Sequence, residues 1–225
     1  MITSNILQRT LFIGHQGSLG TGFTVDQDDR QYLVTARHVV GNIRDGDIVD
    51  IYHDNQWKQT EVKRIEVPRP DIDILVLAPS QQLTPSLKFF ATSEGLGVSQ
   101  DIYFLGFPYG WRSSDAYTLT LNNGFPFPLV KKGIISAFGP NVDYFLIDGH
   151  NNPGFSGGPV VFSDGKKIKV AGVISGYRIS NEPIFDSSGH TNFYYKYNTG
   201  IVKGYDIRFA VDAIKANPVG CSISV

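Results

Sequence analysis

The run Gly154-Phe155-Ser156-Gly157-Gly158-Pro159 sets a hydroxyl among glycines. A serine hydroxyl is a weak nucleophile unless a neighbouring base takes its proton. A carbonyl attacked by it becomes an oxyanion, which needs donors aimed at it. Glycines beside the serine let the backbone bend until successive N–H groups face one point. That nominates the N–H groups of Gly154 and Ser156 as an oxyanion hole. Pro153, just before, lacks an N–H and stiffens the approach. Taken alone, the segment reads equally well as a glycine-rich turn carrying a solvated serine.

A base must come from elsewhere among five histidines, His15, His38, His53, His150 and His190. His38 follows the apolar run Tyr32-Leu33-Val34-Thr35 and precedes Val39-Val40, so it stands where a buried strand ends. His53 and His190 lie in polar surroundings and read as surface residues. Two carboxylates, Asp71 and Asp73, are candidates to orient an imidazole. Asp73 opens the apolar run Ile74-Leu75-Val76-Leu77-Ala78, and a carboxylate at the lip of a buried strand needs a hydrogen-bond partner. Asp71, after Pro70, is easier to expose. A strand period of two puts both on one face, so the sequence leaves the choice open.

These groups need a rigid scaffold, and the chain supplies many short β-type runs. They fall at 20–25, 31–35, 48–52, 58–67, 72–77, 101–105, 129–137, 144–147, 159–162 and 169–175. Turns rich in Gly and Pro separate nearly all of them, which argues for an all-β barrel or sandwich. One helix is expected at 208–217, where Ile207, Val211 and Ile214 share a face and Pro218 forbids continuation. The Ser-, Thr-, Pro- and Gln-rich stretch 80–97 reads as the crossover between two halves. Residues 177–203 read as a long loop with an aromatic end, Phe193-Tyr194-Tyr195 and Tyr197. Long loops in compact domains are often functional.

With 20 basic against 21 acidic residues, nothing in the charge balance points to nucleic acid. A single cysteine, Cys221, permits no internal disulfide and reads as a passive tail residue. The N-terminal residues lack the pattern of a signal peptide and no apolar run is long enough for a membrane span, so a cytoplasmic location is expected. Gly20-Thr21-Gly22 lacks the later glycine of a dinucleotide fingerprint, and no paired-histidine metal spacing occurs. No cofactor and no metal are expected.

Together, Thr35-Ala36-Arg37-His38-Val39, Asp73-Ile74-Leu75-Val76-Leu77 and Gly154-Phe155-Ser156-Gly157-Gly158-Pro159 resemble the chymotrypsin–trypsin family of serine peptidases. The order His, Asp, Ser is that family's order. Within it the likeness is greater to the disulfide-free bacterial HtrA/Deg-type domain. Gly20-Thr21-Gly22-Phe23, Gly106-Phe107-Pro108-Tyr109-Gly110, Lys132-Gly133-Ile134-Ile135-Ser136-Ala137 and Asn152-Pro153-Gly154 carry it. The closing stretch 205–214 is similar as well, so the resemblance runs from about Leu7 to Asn217.

The resemblance implies two six-stranded antiparallel β-barrels and a short C-terminal helix. Residues 1–90 would form the barrel with His38 and Asp73, and 91–225 the barrel with Ser156. It implies that Ser156 attacks, His38 acts as base and then acid, and Asp73 orients the imidazole. His150, Asn151, Ser175, Gly176 and Tyr177 would line the substrate pocket. His150 at its floor offers no fixed negative charge, so no strong preference for cleavage after Lys or Arg is expected. Phe155 stands where animal trypsins have an aspartate that receives a new N-terminus, which implies no activation by N-terminal trimming. No PDZ domain is seen. The implied partners are a protein or peptide substrate and a regulatory protein, with no nucleic acid and no membrane. The loop 177–203 is expected to act as a lid or exosite. The competing reading is a latent, protease-like binding module.

Overall fold

The computed structural model describes residues 2–86, 90–187 and 189–223, apart from the side chains of Asp186 and His190. The surface reading of His190 therefore lies outside the described residues. Six of the seven strands of the first sheet form a ring: β1 (Thr10–His15), β2 (Ser18–Gln27), β3 (Arg30–Thr35), β4 (Ile48–His53), β5 (Gln56–Ile65) and β6 (Leu75–Pro79). They run in the order β3-β2-β1-β4-β5-β6, and a β3–β6 pairing closes the ring. The second sheet holds β7 (Asp101–Gly106), β8 (Leu129–Phe138), β9 (Tyr144–Asp148), β10 (Pro159–Ser163), β11 (Ile168–Asp186) and β12 (Gly189–Asp206). These form a closed barrel. The all-β double barrel expected from the sequence is the observed architecture.

Two strands show how the sequence builds both halves at once. In the run Ile74–Ala78, Leu75 and Leu77 fill the first barrel. Ile74, Val76 and Ala78 point the other way, into a core shared with Leu105, Val161 and Val173 of the second barrel. Leu33 and Val34 divide in the same way on β3. A period of two with both faces buried produces a continuous apolar run. Each buried Leu, Ile or Val among them contributes about 1.5–3 kcal/mol. Because β3 and β6 are antiparallel with Thr35 opposite Leu75, the end of one meets the start of the other. That register brings the residues just after β3 beside those just before β6.

Helix α1 (Ser4–Arg9) and the short α2 (Arg37–Val40) flank the first sheet, and α3 (Ala116–Leu121) lies between β7 and β8. Helix α4 (Arg208–Ala216) matches the expected C-terminal helix and buries Ala210, Ala213 and Ile214. After Pro218 a short strand, β13 (Cys221–Ser222), pairs with β3. Cys221 is thus half-buried, and burial raises its thiol above the ordinary value. A strand at 10–15 was not anticipated, because Thr10–His15 is buried at every position and shows no alternation.

The expected loop at 177–203 is instead a β-hairpin. Beyond the barrel, β11 and β12 stay paired from Tyr177 opposite Val202 to Asp186 opposite Gly189. The aromatics read as a loop end are strand residues, with Phe193 72% and Tyr194 61% exposed. Pro183 and Asn181 suggested a break; both sit within the ribbon.

Candidate active site

His38 lies on α2, immediately after β3, and Asp73 just precedes β6. The backbone N–H of His38 donates to Asp73 Oδ1 at 3.0 Å, and His38 Nδ1 lies 2.7 Å from Oδ2. A carboxylate at Nδ1 fixes the tautomer that leaves Nε2 with a lone pair. Ser175 Oγ donates to Asp73 Oδ2 at 2.6 Å. Burial opposes ionisation of Asp73, but the bonds from His38 and Ser175 and the imidazole's field outweigh it and hold the carboxyl below its ordinary range. Asp71, the other candidate, pairs with Arg69 at 2.9 Å and its side chain is 60% exposed.

The serine loop is held from three sides. Thr21 N donates to Ser156 O at 2.9 Å, and Gly157 N to Ile174 O at 2.7 Å. Thr21 Oγ1 donates to Gly154 O at 2.7 Å and accepts from Phe107 N at 3.2 Å. Tyr109 N donates to Pro153 O at 2.9 Å. A trans peptide is planar, with its C=O and N–H opposed. Fixing Pro153 O on Tyr109 therefore turns the Gly154 N–H to the opposite side. Among the described residues neither Gly154 N nor Ser156 N has a hydrogen-bond partner. Gly154 has φ +108, and a Cβ there would lie 2.4 Å from Phe107 O. Only glycine suits that position.

Phe155 is fully buried, edge-on to Phe104 at 5.2 Å. Lys131 Nζ lies 5.2 Å from the centre of the Phe155 ring and donates to His150 O at 2.6 Å and Asn152 Oδ1 at 2.8 Å. Partial burial lowers the Lys131 pKa. An apolar anchor and a lysine clamp therefore hold this loop. Nothing in the sequence marks Lys131. Thr21 and Tyr109 lie inside runs that carry the family resemblance, which assigned neither of them a role.

The bonds join His38 to Asp73 and Asp73 to Ser175, but Ser156 Oγ donates to Ser175 O at 3.0 Å. No hydrogen bond links Ser156 to His38 among the described residues. Val39, the residue after His38, and the Ser156 carbonyl both lie against Gly20 of β2: a Cβ there would meet Val39 Cγ1 at 2.6 Å and Ser156 O at 3.3 Å. Of the expected pocket residues, Ser175, Gly176 and Tyr177 are half-buried on β11. Asn151 is buried, its carbonyl accepting from Asn198 Nδ2 at 2.6 Å. His150 is exposed, with its carbonyl taken by Lys131.

Two antiparallel strand rings, the second a closed barrel, with the His38–Asp73 pair on one and a glycine-bent serine loop on the other, define the chymotrypsin-like double-barrel class. The chain belongs to the trypsin-like peptidase domain family, whose pattern matches residues 20–173. It is 32% identical over 165 residues to a "Probable periplasmic serine endoprotease DegP-like" protein of Chlamydia pneumoniae, covering 70% of this chain and 29% of that one. A protein of the same description from Pseudomonas fulva is 31% identical over 179 residues, covering 76% and 30%. The chain thus spans about three tenths of the length of these curated relatives. Among solved structures, the Rv3671c protease of M. tuberculosis in its inactive form gives a TM-score of 0.59 at 17% identity, covering 95% of this chain and 90% of that one. The HtrA-type protease AlgW with a tripeptide gives 0.59 at 21%, covering 96% and 62%. At those identities the structural likeness speaks for the fold alone.

Proposed function

We propose that this chain is a serine endopeptidase that cleaves through an acyl-enzyme. Ser156 is the nucleophile, His38 its base and then the acid for the leaving amine, and Asp73 the orienting carboxylate. The N–H groups of Gly154 and Ser156 receive the oxyanion. The observation that carries this reading is the 2.7 Å contact between His38 Nδ1 and Asp73 Oδ2, which leaves Nε2 free to take a proton. Ser156 Oγ must leave the Ser175 carbonyl to reach that nitrogen. A substrate N–H arriving at the same carbonyl competes with the hydroxyl and releases it.

Residues 1–90 and 91–225 are taken as the two barrel units, except that Cys221–Ser222 return to the first sheet, and Ser175, Gly176 and Tyr177 as one wall of the specificity pocket, with Asn151 and His150 at its base. Protein or peptide substrates follow from the family, and a regulatory protein partner fits a hydroxyl that rests off its base. Neither nucleic acid nor a membrane is assigned as a partner. No helix among the described residues is long and apolar enough to cross a membrane. The curated relatives are named periplasmic, and a cytoplasmic location of this chain stays a proposal; a fold with one cysteine suits either compartment.

The second reading, a latent binding module, is favoured by one observation: the Ser156 hydroxyl is bonded to Ser175 O. Labelling with a fluorophosphonate separates the two. The peptidase reading expects labelling of the wild type and none of Ser156→Ala or His38→Ala. A folded wild-type protein that stays unlabelled would leave only the binding module.

A further inference from the structure

The hairpin beyond the second barrel is a two-stranded ribbon with one strand edge open. β10 pairs with β11 only as far as Val173, and past Tyr177 no strand among the described residues pairs with that edge. A two-stranded ribbon is marginally stable in water, and an unpaired edge is a template for another strand. Thr199 Oγ1 donates to Arg178 O and Thr191 Oγ1 to Ile184 O, so those carbonyls face β12. The register shifts beyond Gly176 insert their extra residues in β12, leaving β11 regular. With a period of two, the backbone groups of Tyr177, Ile179, Asn181 and Pro183 face outward. The side chains of Arg178, Ser180 and Glu182 share one face of the strand. Arg178 and Glu182 are exposed, and neither has an ion-pair partner among the described residues; Glu182 accepts only from Tyr197 OH. Four residues of strand hold them about 13 Å apart, too far to pair with each other.

We propose that the edge from Tyr177 to Pro183 is a homodimer interface, where the ribbons of two copies of this chain join edge to edge about a two-fold axis at Ser180. Most soluble oligomers are symmetric, and a two-fold contact must be self-complementary. This edge is. With the axis at Ser180, each Arg178 falls opposite Glu182 of the partner subunit. Ile179 falls opposite Asn181 and Tyr177 opposite Pro183, and the outward groups form roughly six interchain hydrogen bonds. Pro183 suits this place, because its carbonyl accepts from Tyr177 and no N–H is left over for β12. On the other face the two Ile179 side chains, each 54% exposed in the single chain, become diagonal neighbours. An axis at Ile179 or Asn181 would set neither Arg178 nor Glu182 against an opposite charge. One strand pair makes a small interface, so the dimer exchanges with monomer as concentration changes.

The test is sedimentation velocity over a concentration series, with the full chain carrying Ser156→Ala so that self-cleavage plays no part. A monomer–dimer equilibrium is expected. Arg178→Glu alone and Glu182→Arg alone each set like charges opposite one another and should raise the dimer Kd about tenfold or more. The two together restore opposite charges and should return Kd to within about twofold of the parent. No contact inside one chain can give that rescue, because the two side chains do not reach each other. Register is read separately. Opposed residues at the axis have Cα atoms about 4.5 Å apart, within disulfide reach. Ser180→Cys should therefore cross-link on mild oxidation, whereas Glu182→Cys should not, and Cys221 is common to both. A chain that stays monomeric up to millimolar concentration overturns the proposal. So does a dimer that is indifferent to both single reversals, because its contact then lies elsewhere. A dimer weakened by each reversal but not restored by the pair, or cross-linked through Glu182→Cys and not Ser180→Cys, overturns the axis at Ser180.

Discussion

The serine loop at 150–158 and the hairpin at 177–200 border the same stretch of β11, yet they are built in opposite ways. In the loop, Thr21, Tyr109, Lys131 and Ile174 each fix a backbone or side-chain oxygen, and Phe155 is fully buried. In the hairpin, Phe185 is 67%, Phe193 72% and Tyr195 52% exposed. One region is over-determined and can hold a strained glycine at φ +108. The other offers surface and backbone. The difference separates chemistry from association: bond-making atoms need fixed geometry, whereas a partner strand is held by many small contacts.

The strongest way to break the contrast is at the nucleophile. Ser156→Ala should lower kcat/KM by about 10⁴-fold or more and leave the melting temperature unchanged. Steady-state assays and calorimetry check both halves. Gly154→Ala comes next. Its methyl group meets Phe107 O, so the loop must shift and the N–H must turn away from the oxyanion. Losing one such donor costs about 10²–10³ in kcat. A variant that kept full kcat would show that this N–H is not used.

How much of this was legible beforehand depended on periodicity and composition. His38 and Asp73 stood out because one apolar run ends just before His38 and another opens just after Asp73, and those runs are strands buried on two faces. From the residues alone Asp71 and Asp73 stayed open; the family resemblance pointed to Asp73, and the geometry adds that Arg69 claims Asp71. Lys131 was invisible because a lone lysine on a strand carries no signal until its three partners are in place. The hairpin was misread because Pro183 and Asn181 are strand breakers in a central strand, whereas Pro183 lies on an open edge.

Lys131→Met tests the clamp at intermediate size. The stem still covers Phe155, but His150 O and Asn152 Oδ1 lose their donor. A loss of about 1–2 kcal/mol in stability is expected, with a fall in kcat larger than any change in KM. Low pH should act on the other side of the cleft. Asp73 is held below its ordinary value of 3.8 in the folded chain. Its contribution is complete above that value and fades as pH falls through the folded one, because the unfolded chain takes up the proton first. Asp73→Asn should therefore flatten the acid limb of a stability–pH curve measured by chemical denaturation. An unchanged limb would place the acid sensitivity in other carboxylates.

The smallest effect should come from the hairpin's exposed rings. Tyr197 OH donates to Glu182 Oε1 at 3.2 Å, and its ring lies 6.0 Å from that of Tyr195. Both residues are on β12, the strand remote from the open edge of β11. Replacing the pair, Tyr195→Ser with Tyr197→Ser, removes one exposed hydrogen bond and one tilted ring contact. Surface changes of this kind stay within about 0.5 kcal/mol. The rate of fluorophosphonate labelling should not move, because no bond to the serine loop passes through either ring. A stability loss of about 2 kcal/mol or more would mean that the ribbon's faces, and not only its β11 edge, are packed against something in solution. The division between a fixed loop and an open hairpin would then have to be redrawn at Tyr195.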